Sequence, residues 1–275
     1  MKFKTFLTIL FLLSSVVCFS SKLLMATTTS LYNTGLLDVL KTEFEKRYKH
    51  SLTILAVGSG MALEMGRKGL VDLLFVHSPE DEELFMKQGF GEKRVSIMQN
   101  EFIVVGPTEF DISYKGLEDL FSQIVERRFL FVSRGDESGT HRMEMKIWSQ
   151  IGKKPDSKSY ISTGQGMATT LLIANEKRAF TLTDRATYEF LKSKLNMKIF
   201  IEGDPRLKNV YSVIVVSPKT GKRVNYPVAM EFLEFITSKE ALNLIENFSI
   251  NGVKLFEVIA QPSGDSVERN SGDQP

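Results

Sequence analysis

Cysteine is nearly missing from this chain. One is present, Cys18, among 275 residues. Beyond it no disulfide framework, thiolate zinc site or thiol nucleophile can form. Histidine is scarce too: His50, His77 and His141 lie far apart, a poor start for a catalytic metal. Net charge is also lacking. The 35 Lys+Arg face 33 Asp+Glu, and the surplus is Lys2 and Lys4, ahead of any acid. Without the first twenty residues the balance is 33 against 33. A neutral chain with no basic block lacks the electrostatic footprint of a nucleic-acid binder, so no nucleic acid is expected as a partner. After the N-terminus, no apolar run approaches the ~20 residues of a membrane-spanning helix. With 43% apolar and 25% charged residues, the composition is that of a globular protein. The length suits one large domain or two small ones.

The N-terminus reads as an address. Lys2 and Lys4 precede the apolar run Phe6–Val17, broken only by Thr8, Ser14 and Ser15. Small residues then allow cleavage after Ser20. Residues 1–20 are therefore expected to be a signal peptide, and the protein to be exported to the periplasm. Cys18 raises a lipid-anchored alternative, although Val17 stands where lipoprotein signals place a small residue.

Downstream, strand and helix patterns alternate. Lys22–Ala26, Leu52–Val57 and Val71–His77 read as strands, the last as apolar as a buried parallel strand. Leu36, Leu37, Leu40, Phe44 and Tyr48 recur at helical spacing. Ser78-Pro79-Glu80-Asp81 is a helix start. After the strand Phe102–Val105 and Gly106-Pro107 the pattern resumes: a helix at Leu117–Val125, strands at Phe129–Ser133 and Phe180–Leu182, helices from His141, Met167 and Asp184. Strands at Lys198–Ile201 and Tyr211–Ser217 and helices at Tyr226–Ile236 and Lys239–Glu246 close the chain. The fold class is α/β, with mostly parallel sheets covered by helices. Two runs of alternation imply two lobes, residues 21–106 plus 204–260 and residues 107–203. Two crossovers would join them, near Val105–Pro107 and Gly203–Asn209. Residues 261–275 hold one large apolar residue, Val267, and are expected to be a disordered tail.

Several strand ends feed Ser/Thr/Gly clusters that open helices: Thr27–Ser30, Gly58–Gly60 and Arg134–Thr140. Thr163–Gly166 is a fourth. In open α/β sheets, ligands sit beyond the carboxyl ends of the strands. Helix N-termini offer free N–H groups and the positive dipole end, which favour anions. Each cluster alone reads equally as a set of N-caps and turns, and Arg134 alone as a surface partner of Asp136 or Glu137. Together they place one permanent cation among neutral donors. A guanidinium matches a tetrahedral oxyanion and keeps its charge. Arg134 is expected to make the charged contact, with Asp136 orienting it from behind.

Six segments, in order, resemble the substrate-binding component of tungstate ABC importers. They are Ala26-Thr-Thr-Thr-Ser-Leu31, Ala56-Val-Gly-Ser-Gly60 with Ala62-Leu-Glu64, Ser133-Arg-Gly-Asp-Glu-Ser-Gly-Thr-His141, Thr163-Gly-Gln-Gly-Met167, Thr181-Leu-Thr-Asp-Arg185 and Glu202-Gly-Asp-Pro-Arg206. The resemblance covers about Leu24 to Pro218. It implies a two-lobed type II periplasmic-binding-protein fold whose cleft holds one oxyanion. By motif match, Thr28, Thr29, Ser30, Ser59, Arg134, Ser138 and Thr140 would contact it, with Asp136 behind. Which of Thr27, Thr28 and Thr29 points inward stays open. The ligand would be tungstate or molybdate, with no cofactor and no resident metal. The partners would be a membrane permease and its ATPase, and the chain would be a monomer.

Phosphate and sulfate are the competing ligands. Phosphate carries a proton at neutral pH and gains from an acceptor carboxylate; tungstate and molybdate are unprotonated dianions that suit a donor-only site. The motif alone does not separate them. A sensor domain on the same fold is a further alternative. A hydrolase is a poorer one: Ser138 and His141 are three apart, but no orienting acid accompanies them, and Gly135-Asp-Glu-Ser-Gly falls one residue off a nucleophile elbow.

Overall fold

The computed structural model describes residues 21–221 and 223–262. The expected signal peptide with Cys18, and all but the first two residues of the expected tail, lie outside them. In chain order the elements begin β1 (Lys22–Thr28), α1 (Thr29–Asn33), α2 (Leu36–Tyr48), β2 (Ser51–Val57), α3 (Ser59–Arg67), β3 (Leu73–Val76), α4 (Pro79–Lys87) and β4 (Gly91–Pro107). Next come α5 (Leu117–Glu126), β5 (Phe131–Ser133), α6 (Gly139–Ile151), β6 (Tyr160–Ser162), α7 (Met167–Lys177), β7 (Thr181–Asp184), α8 (Arg185–Leu191) and β8 (Met197–Ile201). The chain returns through β9 (Lys208–Val216), α9 (Tyr226–Ile236), α10 (Lys239–Glu246) and the short strands β10 (Ser249–Ile250), β11 (Val253–Lys254) and β12 (Glu257–Val258).

β1 sits between β2 and β3 and runs parallel to both. β9 adds antiparallel to β3, β4 antiparallel to β9, and β12 covers the other edge of β4. β4 is the unusual strand, because it changes partners along its length. Gly91–Glu101 pairs with β9, whereas Phe102–Val105 pairs with β7 and Val104–Pro107 with β8. Beyond that point β5 and β6 run parallel, and Phe131 bridges to Phe180. The crossover strands β4 and β9 therefore bring antiparallel ladders into an otherwise parallel plan. β4 is also longer than the expected Phe102–Val105. Its first half carries Glu92, Lys93, Arg94, Ser96 and Gln99, so apolarity alone does not reveal it, and its order comes from β9. β6 is equally inconspicuous in sequence, being three residues that are at most half-buried.

The apolar interior divides along the same line. α2, α9 and α10 pack on β1, β3 and β9. There Phe44 is fully buried, stacks on Tyr48 at 5.1 Å and meets Phe232 edge-on at 5.1 Å. Phe102 and Val104 of β4 join instead a core with Phe121, Phe131, Trp148 and Phe180. Truncating a buried aromatic removes its transfer energy and leaves a cavity, ~3–5 kcal/mol together. Phe44→Ala should lower unfolding stability by about that amount, read from the urea midpoint and slope. A loss near zero would show that this aromatic cluster does not hold the helices to the sheet.

Candidate anion site

Parallel register builds the first side of the site. Thr28 lies opposite Val57, and Thr27 opposite Phe75. The residues just past the three strand ends, Thr29–Ser30, Gly58–Ser59 and His77–Ser78, thus emerge side by side. The threonines diverge in role. Thr27 Oγ1 donates to Phe75 O at 2.8 Å, turned into the sheet. Thr28 Oγ1 accepts from Leu31 N at 3.3 Å, capping α1, and meets Ser30 Oγ at 3.2 Å. Thr29 Oγ1 comes 3.8 Å from the position a Cβ on Gly166 would take. Ser59 is the first residue of α3 and is buried.

β5 delivers the second side. Ser133 pairs with Ser162 of β6, and the chain turns sharply at Arg134–Ser138. Gly135 has φ +61°, and a Cβ there would lie 1.7 Å from Ser162 Oγ, so only glycine fits. The adjoining loop is tied to the same backbone: Gly164 N donates to Arg134 O at 2.7 Å and Thr163 N to Ser133 O at 3.0 Å. Ser138 Oγ caps α6 by accepting from His141 N at 3.4 Å. Thr140, in the first turn of α6, is 2% exposed.

Arg134 is 6% exposed. Its Nη2 donates to Asp136 Oδ2 at 2.5 Å, and Asp136 Oδ1 accepts from Ser138 N at 3.2 Å. Burial disfavours the Asp136 anion, but the Ser138 hydroxyl, Arg134 and the Ser138 amide together outweigh it and hold its carboxyl below the ordinary value. Arg134 Nε, by contrast, is buried with no hydrogen-bond partner among the described residues. The hydroxyls of Ser59 and Thr140 also make no side-chain hydrogen bond to any described residue. Of the seven contact residues expected from the sequence, Thr29 alone is not buried.

The two sides touch at several points. Gly166, the N-cap of α7, faces Thr29. A Cβ on Gly139 would come 3.0 Å from His77 O. Arg142 Nη1 donates to Asp81 Oδ1 at 2.5 Å.

His77, at the end of an expected strand, gives no sign in sequence of a place in the site, yet it is buried at the junction of the sheets. Asn209 Nδ2 donates to Asn100 Oδ1 at 2.8 Å and to Tyr211 OH at 2.9 Å. Its Oδ1 therefore faces the ring and accepts from His77 Nδ1 at 2.8 Å. Burial drives the imidazole down to about 4, against the opposing pull of the Asp184 carboxylate and the Asn209 hydrogen bond, while Arg134 adds to the lowering. Asp184, expected to open a helix, caps α8 by accepting from Thr187 N at 2.8 Å. No spacing rule links residues 77, 184 and 209. Only the fold brings them together.

The serine–histidine pair does not form a nucleophile and base. His141 Nδ1 accepts from Glu137 N at 3.0 Å, and Ser138 Oγ is used by the His141 backbone. Among the described residues, no group of three or more His, Cys, Asp and Glu is placed to hold a metal.

Residues 20–240 match the model of the PBP superfamily domain. A protein named tungstate-binding protein TupA, from Campylobacter jejuni, is 42% identical over 240 residues, 85% of this chain and 89% of the relative. The chain belongs to this family of periplasmic binding proteins. A solved tungstate binding protein of the family, TupA from Desulfovibrio alaskensis, superposes with a TM-score of 0.77 at 40% identity, over 88% of this chain and 100% of that one. The tungstate ABC transporter structure from Geobacter sulfurreducens gives 0.76 at 38% identity, over 82% and 98%. The family fold is the two-lobed α/β architecture that the six matched segments imply.

His77 makes stability depend on pH with a definite sign. Its folded value, about 4, lies below its unfolded value of 6.5. The unfolded chain therefore binds the proton first as pH falls. The stability contributed by neutral His77 is complete above pH 6.5 and is lost as pH drops from there through about 4. Urea unfolding of wild type and His77→Asn across that range should show a steeper decline for wild type. Parallel curves would mean that His77 does not titrate between the two states.

Proposed function

We propose that this chain is the solute-binding component of an ABC importer and holds tungstate, or its near twin molybdate, between two lobes. Thr28, Thr29, Ser30, Ser59, Ser138 and Thr140 would supply neutral donors, Arg134 the charge, and Asp136 the orientation of Arg134. The observation that carries this reading is the buried guanidinium: its Nε has no partner, and the hydroxyls of Ser59 and Thr140 are uncommitted. A buried dianion is tolerated only where its oxygens find donors, and this set offers them.

The case against phosphate rests on acceptors. Both oxygens of Asp136 are engaged, by Arg134 and by Ser138 N. No carboxylate among the proposed contacts is left to receive the proton of hydrogen phosphate, which favours an unprotonated dianion. The names of the relatives point the same way. Binding, rather than catalysis, is the activity, with no cofactor involved.

On this reading the lobes comprise residues 21–106 with 204–260, and residues 107–203, with hinge motion where β4 exchanges β9 for β7 and β8. Closure would present one shape to a permease and its ATPase. Export by the N-terminal segment, and work as a monomer outside the cytoplasm, belong to the same proposal. No helix among the described residues is long and apolar enough to cross a membrane.

A native-state ligand stabilises by mass action, ~4 kcal/mol at a thousandfold excess over Kd. In thermal unfolding with equal excesses of tungstate, molybdate, sulfate and phosphate, the first two should raise Tm strongly. A rise with phosphate alone would overturn the tungstate assignment. In calorimetry, Arg134→Ala should weaken tungstate binding ~100-fold or more, and Ser59→Ala nearer ~10-fold, since a charged hydrogen bond is worth about twice a neutral one. Equal losses would remove Arg134 from its role.

A further inference from the structure

A cavity of about 740 Å³ lies beside the anion site and shares none of its seven contact residues. Its walls come from both sides of the junction. Ser78 and Pro79 lead into α4 on one side, Gly139, Met143 and Lys146 belong to α6 on the other, and Phe102, Asn209 and Val210 form the floor. The volume falls within the range of small-molecule sites.

Its chemistry has two parts. Phe102, Met143, Met145 and Val210 give an apolar surface. Against it stand polar groups left without partners. Ser78 is 6% exposed, and its Oγ is buried with no hydrogen bond. It serves as the position before α4, but its side chain does not cap that helix; only its N–H is engaged there, donating to Glu82 Oε1 at 2.7 Å. Lys146 and Lys208 form no ion pair with any described residue. The other cations of the wall are already matched: Arg142 by Asp81, and Arg206 by Glu118 and Asp204. Glu80 also lines the cavity. It can balance one of the two ammonium groups, which leaves the other to meet an acidic ligand.

We propose that this cavity is a second binding site, for a small organic anion with an apolar body. The acidic group would pair with Lys146 and Lys208, the body would lie on Met143, Phe102 and Val210, and Ser78 Oγ would donate or accept a directed hydrogen bond. Inorganic oxyanions do not suit it, because they cannot cover the apolar surface. The site is therefore distinct in ligand class from the one built on Arg134.

The probe is 1-anilinonaphthalene-8-sulfonate, which joins a sulfonate to an apolar ring system. Its fluorescence is titrated against the exported chain in the presence of excess tungstate, beside Lys146→Glu/Lys208→Glu and Met143→Trp. Octanoate serves as a competitor. Circular dichroism and Tm verify that each variant is folded, and the tungstate Tm rise, read separately, keeps this test independent of the primary site. One saturable site per chain is expected, displaced by octanoate and weakened at least tenfold in both variants. Binding that does not saturate, that resists octanoate, or that is unchanged in the folded variants overturns the proposal.

Discussion

Burying a guanidinium costs several kcal/mol unless its donors find acceptors, and the environment of Arg134 meets that demand only in part. Asp136 takes Nη2, and the tight turn at Gly135 keeps the two residues within reach. Nε is left over. The surrounding loops are arranged to hold this charge in one place. Gly164 and Thr163 anchor the backbone on one side, and Ser138 locks the carboxylate on the other. A fixed charge beside uncommitted hydroxyls is preorganised for an anion, since little must reorganise on binding.

The geometry that surrounds it depends on β4. One strand that pairs first with β9 and then with β7 and β8 puts two sheets on a shared spine. The carboxyl ends of β1, β2 and β3 then face those of β5 and β6. His77 and Asn209 occupy the junction, and a neutral imidazole donating to an amide satisfies both without a charge. Burial disfavours a cation there, and the nearby Arg134 adds to the same push on the ring. Neutrality at the junction and the even charge balance after residue 20 serve the same end. Selectivity for one dianion is better built from directed donors than from bulk positive charge, which attracts every anion alike.

Helices were the most legible elements in sequence. The two closing helices form at Tyr226–Ile236 and Lys239–Glu246, where they were expected, because amphipathic spacing is a local signal. The donor clusters were legible as well, since strand-to-helix turns must use Gly, Ser and Thr. Half of β4 and all of β6 were not, because their hydrogen-bonding partners lie far along the chain and their side chains are mixed. The cavity beside α6 had no sequence signature either. Ser78 reads as an ordinary cap, yet its hydroxyl makes no cap hydrogen bond and is buried without a partner.

The sequence by itself determined the alternation of strand and helix, the even balance of charge after residue 20, and the residue types of the Arg134–Thr140 turn. Each follows from composition or from neighbours within a few residues. Tertiary structure alone decided which threonine turns inward to the sheet, that Arg134 is buried with one nitrogen unpaired, and that His77 meets Asn209. Those outcomes depend on register between strands 48 to 132 residues apart, and no local rule carries information over that distance.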